Sequence, residues 1–229
     1  MFLFNRKKKS SNNHAPHLPE WWKDYMKKTE KINLNQHAES FEFKVLDLET
    51  TGLDVDEDRI ISVGLIPILN YEMFPGRAYH TLVYQDHFKK DSVSIHGLTM
   101  DDLKSGITEE SFLETIIPEL AGTVIVGHHI GFDIAMINKS LNRHWGCKLV
   151  NPVLDTAMMY KRCFPIKFVY DKFINQVPTL DEIASEFELA FHDRHSAMGD
   201  AAITGVIFMK LLRKLKHLKV QTLKELLEK

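Results

Sequence analysis

Apolar and polar residues alternate through Phe41-Glu42-Phe43-Lys44-Val45 and, after one shift of phase, through Leu46-Asp47-Leu48-Glu49. A period of two over such a run predicts a β-strand, and Thr50-Thr51-Gly52 gives its end. Residues 59–69 predict a second apolar strand, residues 76–85 a third, and residues 123–126 a short buried one. The acidic stretch 54–58 reads as the turn between the first two. Helical spacing covers residues 108–120, with a distortion at Pro118, then 132–144 and 154–163. Thr179 with Glu182 three residues on forms a capping box that opens another helix. A long helix follows over 197–215, and an amphipathic segment continues to Leu227. Near the front, Pro19 suits the first turn of a helix reaching residue 31, which presents Trp21, Trp22, Tyr25 and Met26. Those aromatics either dock on the parent domain or meet a protein or nucleic-acid partner. Early strands followed by alternating helix and strand predict a mixed α/β sheet with helices on its faces.

The chain has 229 residues, 44% of them apolar and 26% charged, an ordinary globular composition. We expect three segments: a basic tail and aromatic helix over 1–40, the main domain over 41–216, and an amphipathic C-terminal segment over 217–229. Residues 5–18 read as a flexible tail, and 1–40 as dispensable for catalysis. No apolar run approaches the roughly 20 residues of a membrane span, so no membrane role is expected. The opening Met1-Phe2-Leu3-Phe4 is too short and too early for a secretory signal. Two cysteines, Cys147 and Cys163, cannot form a disulfide framework or a four-cysteine zinc site. A reducing, cytoplasmic setting follows.

Net charge is −2, but it is unevenly spread. Residues 1–31 hold eight Lys/Arg against three Asp/Glu, and residues 210–229 seven against two. The stretch between holds 14 against 26. So acidic a middle repels a polyphosphate unless some carboxylates hold cations. A solvated acidic surface with basic ends is the plain alternative.

Asp47 and Glu49, two apart on a strand, point to one face at its C-terminal end, where open α/β sheets place ligands. Adjacent carboxylates repel each other and invite a hard divalent cation. Asp133 falls in the first turn of a helix that follows a strand and a short loop, a position that also suits a plain helix-dipole acid. His195 precedes a helix, and Asp200 lies one turn into it. Small residues Ala197, Gly199, Ala201 and Ala202 let that helix start pack closely. His192 and His195 have a metal-like spacing, but abundant carboxylates and distant cysteines argue against zinc.

Taken together, Asp47-x-Glu49, Asp133, and His195-x-Ala197-x-x-Asp200 resemble the DEDDh subgroup of the DnaQ-like 3′→5′ exonucleases. The resemblance spans residues 41–216. Its first block is Asp47-Leu48-Glu49-Thr50-Thr51-Gly52-Leu53 with Arg59-Ile60-Ile61-Ser62-Val63-Gly64. Phe132-Asp133 forms the second, and His195 to Ala201 the third and most specific. Ile95-His96-Gly97-Leu98-Thr99 and Leu154-Asp155-Thr156 are also similar to family members. His129 departs from the family's frequent Asn, and Ser62 stands where many members carry an acid.

The resemblance implies a ribonuclease H-like fold and hydrolysis of phosphodiester bonds to nucleoside 5′-monophosphates. It implies two Mg²⁺ or Mn²⁺ ions held by Asp47, Glu49, Asp133 and Asp200. His195 is then the base that takes a proton from water, a task suited to an imidazole titrating near 6.5. Thr50, Thr51, Gly52, Leu53, His96, His129 and Phe132 are the expected substrate-binding residues. Leu53 and Phe132 suit plain core packing equally well. The expected substrate is a single-stranded 3′ end, DNA before RNA, in proofreading or repair. An RNA exonuclease and a silent nucleic-acid-binding scaffold are the other readings. A protein partner is expected, if anywhere, at Trp21 and Trp22.

Overall fold

A computed structural model describes residues 18–86, 89–165, 177–190 and 193–228. Pro19 stands just before helix α1 (Glu20–Thr29). The central strand β1 (Phe43–Thr50) then pairs antiparallel with β2 (Ile60–Leu69). Two short strands, β3 (Glu72–Met73) and β4 (Tyr79–Leu82), also pair with β2. Helices α2 (Lys90–His96), α3 (Met100–Leu103) and α4 (Glu109–Leu120) follow. Strand β5 (Val124–Gly127) runs parallel to β1. After α5 (Gly131–Trp145), β6 (Val153–Asp155) runs parallel to β5. The chain finishes through α6 (Thr156–Cys163), α7 (Leu180–Glu186), α8 (Ala197–His217) and α9 (Leu223–Leu227). The result is a mixed six-stranded sheet in the order β3-β2-β1-β5-β6, with β4 on β2.

Helices cover both faces of this sheet, so β1 is buried on each side. Phe43 and Val45 enter one core layer, beneath α6, α7, α8 and α9. Leu46 and Leu48 enter the other, beneath α1, α4 and α5. Local signals agree with these placements. Thr179 and Glu182 form the expected capping box, and Thr108 caps α4 by accepting from the Ser111 N–H. Pro118 falls in the last turn of α4 and leaves the helix unbroken to Leu120.

Two expectations need correction. The strand expected over 76–85 is cut to Tyr79–Leu82, because a 3₁₀ turn at Pro75–Arg77 occupies its start. The helix expected over 154–163 begins at Thr156. Residues 153–155 pair with β5 instead, and the Asp155 side chain caps the helix by accepting from the Ala157 N–H. Helices α2 and α3 were not anticipated, being short and weakly periodic. The tail over 5–17 lies outside the described residues.

Helix α1 takes the first of its two expected placements and docks on the parent domain. Trp22 is 6% exposed and Tyr25 is fully buried, both within the core layer under α4 and α5. The Tyr25 hydroxyl donates to Asn151 Oδ1 at 2.5 Å and accepts from the Val150 N–H at 2.8 Å. Trp22 is therefore spent largely inside this domain. At the other end, the Ala38 N–H donates to the Gln221 carbonyl, which ties 217–228 to the segment leading into β1.

Candidate active site

Strand β1 delivers two carboxylates at its C-terminal end. Asp47 and Glu49 share the face that meets α8, while Leu48 between them enters the opposite core layer. Asp47 lies across from Gly64 on β2. A side chain at Gly64 would collide with the Ala197 carbonyl, so its absence lets the start of α8 rest directly on β2. The first turn of α8 thereby reaches the strand acids. Asp47, Glu49 and Asp200 each offer an oxygen, and the three atoms lie within 4.8 Å of one another.

Asp133 stands behind this group in the first turn of α5. It is 7% exposed, and its Oδ1 accepts from the Leu48 N–H at 3.0 Å. That bond fixes the carboxyl against β1 between the two strand acids. Burial raises Asp133 far above the ordinary aspartate range, against the pull of the Leu48 amide. Burial also raises Asp47, helped by repulsion from Asp133, Asp200 and Glu49. Glu49 is pushed up to about 8 by burial, then by Asp200 and Asp133. The Arg194 guanidinium, paired with Asp200, lowers Asp47 and Glu49 but does not offset that rise. Oxygen-only donors in that state fit a hard divalent cation.

His195 enters on the turn just before α8. Asp193 and His195 take positive φ, +58° and +61°, which residues with side chains adopt at a cost. Ser196 holds this turn: its hydroxyl donates to the Asp193 carbonyl at 2.7 Å and accepts from the Gly199 N–H at 3.1 Å. His195 is exposed and lines a groove of about 710 Å³ together with His96, Arg194 and Met198. In the same groove, His96 Nδ1 accepts from the Leu98 N–H at 3.0 Å. The ring proton of neutral His96 therefore sits on Nε2, which is buried and has no partner. Desolvation keeps His96 neutral by lowering its pKa.

The loop after Glu49 is more internal than its sequence suggests. Thr50 donates to the Gly52 carbonyl, and Thr51 donates to Asp58 Oδ1 at 2.8 Å. Both hydroxyls are turned inward, so this loop offers an incoming ligand its backbone and the side chain of Leu53, which is 85% exposed. Gly52 lies so close to Asp58 that a Cβ would meet the carboxylate at 2.5 Å. Phe132 is partly buried against the core. His129 is exposed at φ +52°, its ring 4.4 Å from that of His128, and its N–H donates to Asp155. His192 lies outside the described residues.

Three residues outside the expected site set also contribute, and of these only Asp155 lay in a segment similar to family members. Asp58 braces the 50–53 loop from a stretch that reads as a solvated acidic turn. Arg194 pairs with both Asp200 and Asp181. Asp155 holds the His129 amide and raises Asp133 by repulsion. Arg194 could have been suspected from its place beside His195. Nothing marks which loop acids turn inward.

A family model described as exonuclease matches residues 45–208. The DNA polymerase III subunit epsilon of Aquifex aeolicus is 30% identical over 76% of this chain and 81% of its own length. The 3′-5′ exonuclease DinG of Staphylococcus haemolyticus is 28% identical over 80% of this chain, but over only 19% of its own length. Exonuclease I of E. coli, solved in complex with a dT13 oligonucleotide, superposes with a TM-score of 0.64 at 18% identity. That match covers 78% of this chain and 42% of exonuclease I, and it identifies the sheet as ribonuclease H-like. With its fold shared and its model match spanning all four acids, the chain belongs to the exonuclease family as a 3′→5′ phosphodiester hydrolase of the DnaQ-like, DEDDh type.

Proposed function

We propose that this protein removes nucleoside 5′-monophosphates from the 3′ ends of single-stranded DNA, in proofreading or repair, with two Mg²⁺ or Mn²⁺ ions. The convergence of Asp47, Glu49 and Asp200 beside a groove lined by His195 and His96 carries the reading. Bound at these acids, the ions supply neutralisation of the charge that builds on the phosphodiester oxygens. Asp47, Glu49 and Asp200 are their ligands. Asp133, locked on the Leu48 amide, completes the set directly or through water. His195 accepts the proton of the attacking water on an imidazole nitrogen. The buried, unpaired Nε2–H of His96 donates to the incoming strand. The backbone of Thr50, Thr51 and Gly52 faces the terminal nucleotide, and Leu53, Phe132 and His129 border its base.

The division of labour follows the chain. Residues 41–216 form the catalytic unit, while 1–40 and 217–229 are extensions. A cytoplasmic setting accords with a nucleic-acid substrate, and the likeness to an epsilon subunit supports a DNA polymerase as partner. Exonuclease I bound to dT13 supports DNA over RNA.

Matched 5′-labelled DNA and RNA oligonucleotides with Mg²⁺ test the proposal. DNA should shorten stepwise from its 3′ end, faster than RNA. Asp47→Ala should abolish the ladder. Full activity in Asp47→Ala refutes the site, and faster cleavage of RNA refutes the substrate.

A further inference from the structure

Arg194 stands between the acidic cluster and the groove. Its Nε donates to Asp181 at 2.7 Å, and its Nη1 pairs with Asp200. The Asp200 side chain is 12% exposed and that of Arg194 18%, whereas Asp181 is 59% exposed on the first turn of α7. The guanidinium thus has an inner anion that it shares with Asp47 and Glu49, and an outer anion at the rim. It also lines the groove next to His195. We propose that Arg194 alternates between two partners: Asp200 in the metal-free site, and a phosphate of the bound strand once Asp200 ligates metal. This rests on the exonuclease reading above.

The argument is one of charge. Without metal, Arg194 is the cation that draws down the proton affinity of Asp47 and Glu49. Were Asp200 to hold a divalent cation, its carboxylate would no longer be free for Arg194, and the guanidinium would face a like charge. Arginine cannot escape by losing its proton. It must turn away, and Asp181 keeps its Nε at the rim while it does so. The freed Nη atoms then face the groove that holds His195 and His96. A planar fork of N–H donors there matches two oxygens of one phosphate. Arg194 therefore opposes metal loading in the empty enzyme and favours the strand in the loaded one.

Two measurements on the full chain test this: calorimetric titration with MnCl₂ alone, and steady-state kinetics on a DNA oligonucleotide at saturating Mn²⁺. Arg194→Gln should bind Mn²⁺ roughly tenfold more tightly than the unsubstituted protein. Its KM should rise roughly tenfold, by more than any fall in kcat. Arg194→Lys keeps the charge without the fork, so its Mn²⁺ affinity should stay near that of the unsubstituted protein while KM still rises. It also serves as the readable variant should Arg194→Gln melt early. Unchanged or weaker Mn²⁺ binding in Arg194→Gln overturns the alternation, as does an unchanged KM. If the unsubstituted protein itself takes up no Mn²⁺, the exonuclease reading fails first and this inference with it.

Discussion

Asp58 closes an acidic turn that nothing in its neighbourhood singles out, yet it is 1% exposed. Oδ1 accepts from Thr51 and from Lys89 at 2.8 Å each, and Oδ2 accepts from the Asp54 N–H at 2.9 Å. Its carbonyl accepts from Lys139. Burial raises its pKa, but Lys89, Thr51 and the Asp54 amide together hold it below the ordinary aspartate range. One carboxylate thus ties the 50–53 loop to the segment that leads into α2 and His96. Asp58→Ala leaves the Thr51 hydroxyl proton without its acceptor and the loop unbraced, at a cost of about 2 kcal/mol. Thermal melting should fall by roughly 4–8 °C, and KM for a 3′ end should rise more than Mn²⁺ affinity falls. An unchanged KM would show that the loop does not position the strand. The contrast with Asp47 and Glu49 explains what could be read in advance. A strand's period of two fixes the face of an acid from sequence alone, whereas a loop has no period. Hence Thr50 and Thr51 could be placed beside the site, but not oriented, before the fold was known.

At the scale of elements, α1 shows where periodicity runs out. Four aromatic or apolar residues on a helix declare a buried face without saying what covers it. Here the cover is the domain itself, through Trp22, Tyr25 and the ring of Trp145, whose centroid lies 5.0 Å from that of Trp21. Trp22→Ala should therefore cost about 3–5 kcal/mol, read as a shift in the denaturation midpoint with the slope unchanged. Tyr25→Phe, which strips the Asn151 and Val150 contacts, should cost about 1–2 kcal/mol. Removing 1–40 should likewise lower solubility by exposing the core layer under α4. A truncated chain that melts like the full one would restore the view of α1 as a dispensable appendage. The same limit explains β6. Leu154 sits in an apolar run continuous with α6, so only its pairing with β5 separates strand from helix. By contrast α8 was legible almost to the residue, because it is long, capped at Ser196 and strongly periodic.

On the whole molecule, the excess of acid in the middle of the chain is resolved by where four of those acids meet. Folding drives Asp47, Glu49, Asp133 and Asp200 together against their mutual repulsion, so the metal-free protein carries a destabilising centre that divalent cations should relieve. Binding only the folded state at a hundred times Kd stabilises by about 2.7 kcal/mol. For a chain of this size that is a rise in Tm of roughly 5–10 °C. Mn²⁺ should produce that shift, and EDTA should reverse it. Asp47→Asn separates the two contributions, since it keeps the shape but removes one ionisable member of the crowded set. In EDTA it should melt higher than the unsubstituted protein, because its neighbours lose a repelling partner. In Mn²⁺ it should gain little, because a metal ligand is gone. If instead Asp47→Asn melts lower in EDTA, then Arg194 already balances the cluster in the metal-free state. The acids would then be held by attraction to that guanidinium rather than crowded in spite of one another.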